Sequence, residues 1–351
     1  MKLEKIFIAG VGVSNPLGDS AQALARFVNA GINAVQVTSA VNKSYNTIKM
    51  AKVPEKLIPP LNPKLWEAHL PSWQERLLRL AGSALLGIKP MVQQLQSIPI
   101  VLALPEICPA RALPWKGNVI EQISIQSGLD FDLQVSLAAE IGRAGGLHAI
   151  KHVFELLEAG HDMVVLGGMD TYWDLGRLAY LDHEDRLLVE GSIDGFPIGE
   201  GACFVVFTHQ RLLSHSNAPQ IAIYKPGNAE EIGHRYSDQP YRGDGLANAT
   251  RTAISHAPIT PINGVWTSMI YDNFGNKEFG VAMTRNNSHL SPHVKFRHPV
   301  DCFGDLGAAI GSTLIALIFG NVTDGKNIGR SHLICCSSDN AYRSAVRLEI
   351  Q

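Results

Sequence analysis

Residues 140–170, EIGRAGGLHAIKHVFELLEAGHDMVVLGGMD, carry the clearest structural pattern in the chain. After a turn of small residues at 142–146, apolar side chains recur at steps of three and four residues, which predicts an amphipathic helix with one buried face. Gly160 is predicted to end this helix, and residues 163–166 are predicted to form a short buried strand that ends at a pair of glycines. Arg143 lies where the helix begins, although a cation there opposes the helix dipole by roughly 0.3–1 kcal/mol. The pattern therefore predicts that Arg143 has a partner.

The composition is typical of a soluble globular protein. The chain has 351 residues, of which 46% are apolar and 18% charged, which suits one large α/β domain or two fused halves. A net charge of −2 and a pI near 6.7 give no electrostatic reason to expect nucleic acid or a membrane as a partner. The five cysteines show no CxxC spacing, so a reduced, cytoplasmic location is expected. The start of the chain lacks the apolar run of a signal peptide, and the run at 306–319 is too short to span a membrane.

Predicted strands and helices alternate along the chain. This alternation over two similar halves predicts stacked α/β layers with a largely parallel sheet, and residues 209–219 are predicted to join the halves. Ser72 and Glu75 are predicted to form a capping box, and residues 36–71 a surface excursion. The predicted strands are 5–13, 98–104, 133–139, 163–166, 203–208, 221–224, 264–271, 332–337 and 345–350; the predicted helices are 21–30, 72–88, 117–128, 245–256, 277–285 and 305–319.

Two short motifs suggest other chemistries, but their spacing disfavours them. Gly10-x-Gly12 starts like a dinucleotide-binding fingerprint, but the position of the third glycine holds Asn15 and Pro16 follows, so a compact strand-to-helix turn is favoured. The polar run 183–186 contains metal-ligating residue types, but adjacent residues cannot all converge on one ion, and a solvated loop is predicted. Three further histidines, without the cysteine spacing of a zinc site, are predicted to be loop residues: His289, His293 and His298.

Five segments, spread in order over nearly the whole chain, share a known pattern. They are GVGVSNPLG at 10–18, GLHAIKHVFELLEAGHDMVVLGGMD at 146–170, DGFPIGEGA at 194–202, DLGAA at 305–309 and NA at 340–341. Together they resemble the condensing enzymes, the β-ketoacyl synthases of the thiolase fold. The resemblance implies a five-layer αβαβα architecture built from two similar βα halves, with bounds at 1–212 and 213–351.

The resemblance also identifies positions where the family's catalytic residues are replaced. Arg143 stands at the place of the nucleophilic cysteine, Ser268 at the first catalytic histidine and Gly304 at the second. The family's lysine position holds Pro299, and its gating phenylalanine falls near Cys336. Decarboxylative condensation needs a thiolate to carry the acyl chain and neutral imidazoles to stabilise the enolate oxygen. Arginine cannot carry the acyl chain as a thiolate does, and Ser268 and Gly304 supply no imidazole. The resemblance therefore implies a degenerate member without ketosynthase activity.

Two interpretations of Arg143 remain open at this stage. It either pairs with a nearby acid and fills the former acyl cavity, or it binds a carboxylate or carrier phosphate in bidentate geometry. The acids considered are Glu140, Asp301 and Asp305. A relocated thiol at Cys302 is conceivable but has no evident base, and the other strand cysteines are predicted to be small buried hydrophobes. The candidate ligand-binding residues are therefore Arg143, Ser268, Cys302 and Asn340; no metal or cofactor is predicted.

Three functions follow from the resemblance. The first is a non-catalytic partner of a synthase or acyl-carrier system, similar to a chain-length factor in fatty acid or polyketide biosynthesis. Such a protein would form a homodimer or a heterodimer with a synthase-like protein through residues 133–139. The second is an adaptor that retains only the fold, for example in loading type VI secretion effectors. The third is an acyltransferase-type enzyme with altered chemistry at Cys302 or Ser268.

Overall fold

The computed structural model describes residues 2–109, 114–209, 219–270 and 272–351. Within these residues the chain forms a mixed sheet surrounded and divided by helices. The strands are β1 (Lys5–Ser14), β2 (Gln36–Val41), β3 (Thr47–Ala51), β4 (Ile100–Ala103), β5 (Leu137–Ala139), β6 (Met163–Thr171), β7 (Ile198–Thr208), β8 (Ile221–Tyr224), β9 (Gly227–Glu230), β10 (Ile262–Thr267), β11 (Leu290–Arg297), β12 (Ser331–Ser337) and β13 (Tyr342–Ile350). The helices are α1 (Ala21–Asn29), α2 (Ser72–Val92), α3 (Val119–Ser127), α4 (Gly145–His148), α5 (Ile150–Glu158), α6 (Leu175–His183), α7 (Asp244–Ser255), α8 (Asn273–Arg285), α9 (Val300–Phe303) and α10 (Ile310–Thr323).

The strand order repeats in the two parts of the sheet. The full path is β11-β10-β12-β13-β8-β1-β7-β6-β4-β5, with β2, β3 and β9 attached beside it. One part is β1-β7-β6-β4-β5 and the other is β8-β13-β12-β10-β11. If the strands of each part are numbered in chain order, both parts have the spatial order first, fifth, fourth, second, third. In both parts the first strand pairs with the fifth, and the fifth with the fourth, in antiparallel fashion, whereas the remaining two pairings are parallel.

The prediction of a largely parallel sheet is therefore wrong at its centre. The fourth and fifth strands of each part run in opposite directions, and β12 reaches β13 through the short connection at 338–341. An antiparallel pair needs only such a short turn, whereas a parallel pair needs a crossover. A sequence pattern of alternating strands and helices does not reveal which kind of connection is used. The bounds 1–212 and 213–351 stay a prediction, because their join falls at 210–218, outside the described residues.

The elements stack in five layers, as the resemblance implies. Helix α2 packs on β1, β6 and β7 and, with α3, forms one outer layer, while α7 packs on β12 and β13 and, with α8, forms the other. Helices α4, α5 and α10 lie between the two parts of the sheet, and α10 contacts strands of both. Nearly every residue of α10 is buried, which fits a helix that is apolar all round. No helix in the part of the chain described here is long and apolar enough to cross a membrane.

Gly10-x-Gly12 lies inside β1 and not in a strand-to-helix turn, so the predicted turn is wrong and the glycines serve packing instead. A Cβ at residue 12 would lie 2.0 Å from the carbonyl oxygen of Ala84 in α2. In return, a Cβ on Gly87 would lie 2.8 Å from the Cα of Gly12. The glycines thus let α2 approach the strand closely.

Most predicted elements are present, and the errors lie in their ends. The capping box is wrong, because the N-cap of α2 is Pro71 and Ser72 is already the first helical residue. The strand predicted at 133–139 is only Leu137–Ala139, and the excursion at 36–71 contains the β2–β3 hairpin. Strand β6 is longer than predicted, since it runs through its pair of glycines, where the ring of Phe204 packs against the backbone of Gly167.

Candidate functional site

Arg143 lies at the entrance to the central helix layer. The chain leaves β5, makes a 3₁₀ turn at Gly142–Ala144 and enters α4. Gly142 has φ of +74°, and a Cβ there would lie 2.7 Å from the Cβ of Glu106, so this turn requires glycine. The turn directs the Arg143 side chain inward, where the residue is only 5% exposed.

Every guanidinium nitrogen of Arg143 has a partner. Nε donates to Oδ2 of Asp305 at 2.7 Å, and Nη2 lies 2.6 Å from the same oxygen. Nη2 also donates to the hydroxyl of Tyr172 at 2.9 Å, and Nη1 donates to Oδ1 of Asp339 at 2.9 Å. The Tyr172 hydroxyl in turn donates to Asp305. Of the acids considered from the sequence, Asp305 is the partner, whereas Glu140 accepts a backbone N–H instead.

Asp339 receives two further arginines. It lies in the connection between β12 and β13, where Arg186 donates Nη1 to Oδ2 and Nη2 to both oxygens, each at 3.2 Å. Arg235 donates Nε to Oδ1, also at 3.2 Å. Arg235 is also bonded to the buried carboxylate of Asp272, which lies 4.0 Å from Nη2 of Arg186. We call Arg143, Arg186 and Arg235 the arginine cluster.

Aromatic faces and a second ion pair surround this cluster. The guanidinium carbons of Arg143 and Arg186 lie 5.7 and 5.2 Å from the ring centroid of Phe196, within the range of cation–π attraction. Arg177 lies 3.5 Å from the ring centroid of Tyr172 and pairs with Asp170 at 2.7 Å. Asp170 also accepts the backbone N–H of Ala308 at 3.0 Å, just before α10. The site is therefore a connected polar network enclosed in the apolar core.

Burial and charge shift the pKa values of the network strongly. Burial alone would lower the pKa of Arg143, but the carboxylates of Asp305 and Asp339 outweigh it and raise this pKa well above its usual value. Burial would raise the pKa of Asp339, but the arginine cluster holds it well below its usual range. Arg143 and Asp339 thus stay charged at physiological pH.

Glu106 is the exception among these acids. Burial and the nearby negative charge of Asp339 raise the pKa of Glu106 to about 7. Its carboxylate accepts the backbone N–H groups of Asp339 at 3.0 Å and Asn340 at 2.9 Å, so it anchors the 338–341 connection from below. Glu106 is therefore the member of the site whose charge changes near neutral pH.

Among the described residues, little free space remains around Arg143. A cavity of about 30 Å³ is lined by Arg143, Ser268 and Asp339 among others, and a second of about 10 Å³ lies beside Glu106 and Tyr172. A buried water needs about 10–15 Å³ by the same measure, whereas ligand pockets enclose about 300–1,000 Å³. The two spaces accommodate single waters and not an acyl chain.

Ser268 and Gly304, which the resemblance sets at the two histidine positions, lie close to Arg143. Ser268 lines the 30 Å³ cavity with Arg143, and its hydroxyl accepts the backbone N–H of Ser337 at 3.3 Å. Gly304 immediately precedes Asp305 and has φ of +71°, and a Cβ there would lie 2.6 Å from the carbonyl oxygen of Ile198. Any side chain at residue 304 is thus excluded by the backbone of β7.

The remaining two candidate ligand residues do not point to a ligand. Asn340 uses Nδ2 to donate to the carbonyl of Ile107 at 2.9 Å, which fixes the 338–341 connection. Cys302 lies on α9, away from the lining of the Arg143 cavities, and burial together with Asp301 raises the pKa of its thiol. Burial and the negative charge of Asp301 thus both disfavour a thiolate nucleophile at residue 302. Cys335, Cys336 and Cys203 are buried, which confirms them as small core residues.

Two further predictions of loop residues need correction. The run 183–186 is not a solvated loop throughout, because Arg186 is only 4% exposed and bonds Asp339. His293 lies on β11 and His289 in a 3₁₀ turn before it, not in a loop. Over the described ranges, no three His, Cys, Asp or Glu side chains are grouped as a metal site requires.

Sequence patterns did not identify several residues of the network. Arg186, Arg235 and Asp339 lie on three connections that are far apart in the chain and share no motif spacing. Tyr172 is the second residue after the matched segment 146–170, but a tyrosine after a buried strand has no distinctive signal. Of the three hydrogen-bond partners of Arg143, only Asp305 lay within a recognised segment, DLGAA at 305–309.

Comparisons with known proteins show the fold. No protein-family model matches the sequence, and no curated protein matches it. Among solved structures, the ketosynthase ApeO in complex with its chain length factor ApeC from Xenorhabdus doucetiae matches with a TM-score of 0.78, 16% identity and coverage of 99% of this chain and 98% of that chain. The ishigamide ketosynthase/chain length factor matches with a TM-score of 0.76, 12% identity and 99% of each chain. A ketosynthase from module 6 of the bacillaene synthase of Bacillus subtilis 168 matches with a TM-score of 0.74, 12% identity and coverage of 99% of this chain and 72% of that chain. The described part of the chain has the ketosynthase-like thiolase fold.

Proposed function

We propose that this protein is a non-catalytic, chain-length-factor-like partner of a synthase or an acyl-carrier system. The observation that carries the proposal is Arg143, which the resemblance sets at the nucleophile position and which here is enclosed by Asp305, Asp339 and Tyr172. The matched complex of ApeO with its chain length factor ApeC is a solved example of this fold in such a pair. The absence of CxxC spacing favours a cytoplasmic location.

The chemistry of the network supports a role without condensation. Its side chains are arginines, carboxylates and tyrosine that are already bonded to one another, and none of these arginines can be acylated or act as a base. No histidine is among the described residues that line the cavity shared by Ser268 and Arg143, and burial raises the pKa of the Cys336 thiol although a hydrogen bond with Ser268 opposes this. A cavity of about 30 Å³ leaves no room for a growing acyl chain.

Strand β5 provides the proposed contact with the partner. It is the last strand of the sheet, and no other strand of the described residues pairs with its outer edge. Its residues Leu137, Ala138 and Ala139 carry no charge, and Leu137 is 44% exposed. An uncharged, unpaired edge favours addition of a strand from another chain. We infer that β5 pairs with the matching strand of a second copy or of a synthase-like protein.

Association is tested by replacing Leu137 with arginine. We expect wild-type protein to be a dimer by size-exclusion chromatography with light scattering, or to copurify with a synthase or acyl carrier protein, and Leu137→Arg to lose that association. Ile259→Arg is the matched control, because Ile259 is fully exposed and away from β5. A wild-type monomer that captures neither protein would refute the proposal, and capture of a secretion effector instead would favour the adaptor function.

Catalysis is tested separately. Purified protein is incubated with malonyl- and acyl-loaded carrier protein, and we expect neither decarboxylation nor condensation above the rate without protein. Turnover that Arg143→Ala abolishes would overturn the non-catalytic assignment and favour an acyltransferase-type enzyme.

A further inference from the structure

The carboxylate of Asp339 is bonded in the way that proteins bond an anionic ligand. Its two oxygens accept five hydrogen bonds from the arginine cluster, at 2.9 Å from Arg143 and 3.2 Å from Arg186 and Arg235. Planar guanidinium groups that converge on one carboxylate are the usual means of recognising carboxylates and phosphates. Here the recognised anion belongs to the chain itself.

Other buried carboxylates of the described residues meet fewer arginines. Glu278 pairs with one, Arg343, at 2.6 Å, and Asp272 with two, since Arg235 is bonded to it and Nη2 of Arg186 lies 4.0 Å away. Asp339 has three, drawn from the α4 entrance, the loop before β7 and the loop after β9.

The segment that carries Asp339 is short and lies at the edge of the site. Residues 338–341 connect β12 to β13, and Asn340 is partly exposed. Both small cavities beside Arg143 are also lined by Asp339, so removal of this one side chain would enlarge the space next to the arginine cluster. The resulting space would be lined by the N–H groups that now bond Asp339.

We propose that the arginine cluster is a binding site for a carboxylate or phosphate group, that Asp339 occupies it in this structure, and that an external anion binds by displacing the 338–341 connection. The proposal concerns the interior and does not depend on the β5 contact. Either the anion site or the β5 contact could fail without affecting the other, because the first is measured with Asp339→Ser and the second with Leu137→Arg.

The site is tested first by chemical rescue. Asp339→Ser removes the carboxylate, and we expect its lowered Tm to rise saturably on addition of malonate or inorganic phosphate. Separate titrations with the two anions show which chemistry the site prefers. Asp339→Asn keeps a side chain of the same shape in place, so a much smaller rise is expected. Asp324→Ser, which removes the partner of the exposed Arg26, controls for general salt effects. A rise in Asp339→Ser no larger than in Asp324→Ser would overturn the proposal.

Displacement is tested in the wild-type protein by hydrogen–deuterium exchange. We expect saturating malonate or phosphate to speed amide exchange in residues 338–341, and Arg186→Gln to abolish that response. If Asp339→Ser is rescued but exchange in the wild-type protein does not change with either anion, the internal carboxylate is a permanent structural ion pair and the proposal is wrong.

Discussion

At the scale of single residues, the network around Arg143 is defined by charges that compensate each other inside the core. Asp305 is fully buried, and its carboxylate also accepts the Tyr172 hydroxyl and the backbone N–H of Gly307 at 3.0 Å. A buried pair is weak evidence for stability in itself, whereas removal of one partner leaves an uncompensated charge.

Replacement of Arg143 should therefore destabilise the protein, and a second change should restore it. We expect Arg143→Met to reduce the free energy of unfolding by about 3–5 kcal/mol, the usual cost of an orphaned buried charge. Adding Asp305→Asn should recover much of that loss. Urea unfolding of the single and double variants measures both, with Arg26→Met at the exposed Asp324 pair as a control that should change little. Equal losses in the single and double variants would contradict charge compensation.

Glu106 should make stability depend on pH near neutrality. Its folded-state pKa of about 7 lies above the ordinary value of 4.5, so the folded protein binds this proton more tightly than the unfolded chain does. The contribution of Glu106 is therefore most favourable below pH 4.5 and is lost as the pH rises to about 7. We expect Glu106→Gln, which cannot ionise, to lose less stability than wild type between pH 5 and pH 8. Thermal unfolding over this range checks the difference, and parallel curves would contradict it.

At the scale of elements, close approach explains what local sequence patterns did not show. Periodicity predicted the presence of α2 and β1 correctly. The requirement for glycine at residue 12, however, comes from close packing against α2, which is about 70 residues away in the sequence. Likewise the position of Arg143 on a turn was visible, whereas Arg186, Arg235 and Asp339 converge only through the sheet order. Local patterns predict elements, and tertiary crossings decide the partners of their side chains.

The packing of β1 on α2 predicts opposite effects for two glycine substitutions. Gly12→Ala should destabilise by about 1–3 kcal/mol or more, because the added methyl group would lie 2.0 Å from the Ala84 carbonyl oxygen. Gly280→Ala should stabilise by up to about 1 kcal/mol, because Gly280 lies in α8 and a Cβ there meets nothing within 4 Å. Denaturant unfolding measures both. A neutral Gly12→Ala would show that the two elements are not so tightly packed in solution.

At the scale of the whole molecule, the repeated strand order gives the sheet two equivalent ends that differ in chemistry. The five segments that resemble condensing enzymes predicted the layers, but not that the two third strands, β5 and β11, both end the sheet. The sequence could not show this, since the edges depend on the antiparallel centre. Strand β11 contains Pro292, Lys295 and Arg297, and its register with β10 shifts between Leu290 and Lys295. Proline, cations and an irregular register are the features by which proteins protect an edge from pairing, and β5 has none of them.

The protection of the β11 edge predicts that its removal would let dimers associate into larger assemblies. If β5 pairs chains into closed dimers, a second unprotected edge would join those dimers into longer assemblies. We expect the triple variant Pro292→Val, Lys295→Thr and Arg297→Thr to form concentration-dependent assemblies larger than the wild type in light scattering. Adding Leu137→Arg should limit them to pairs, because only the altered β11 edge would remain available. Assemblies of unchanged size in the triple variant would show that β11 is blocked by the shape of its register shift and not by these side chains.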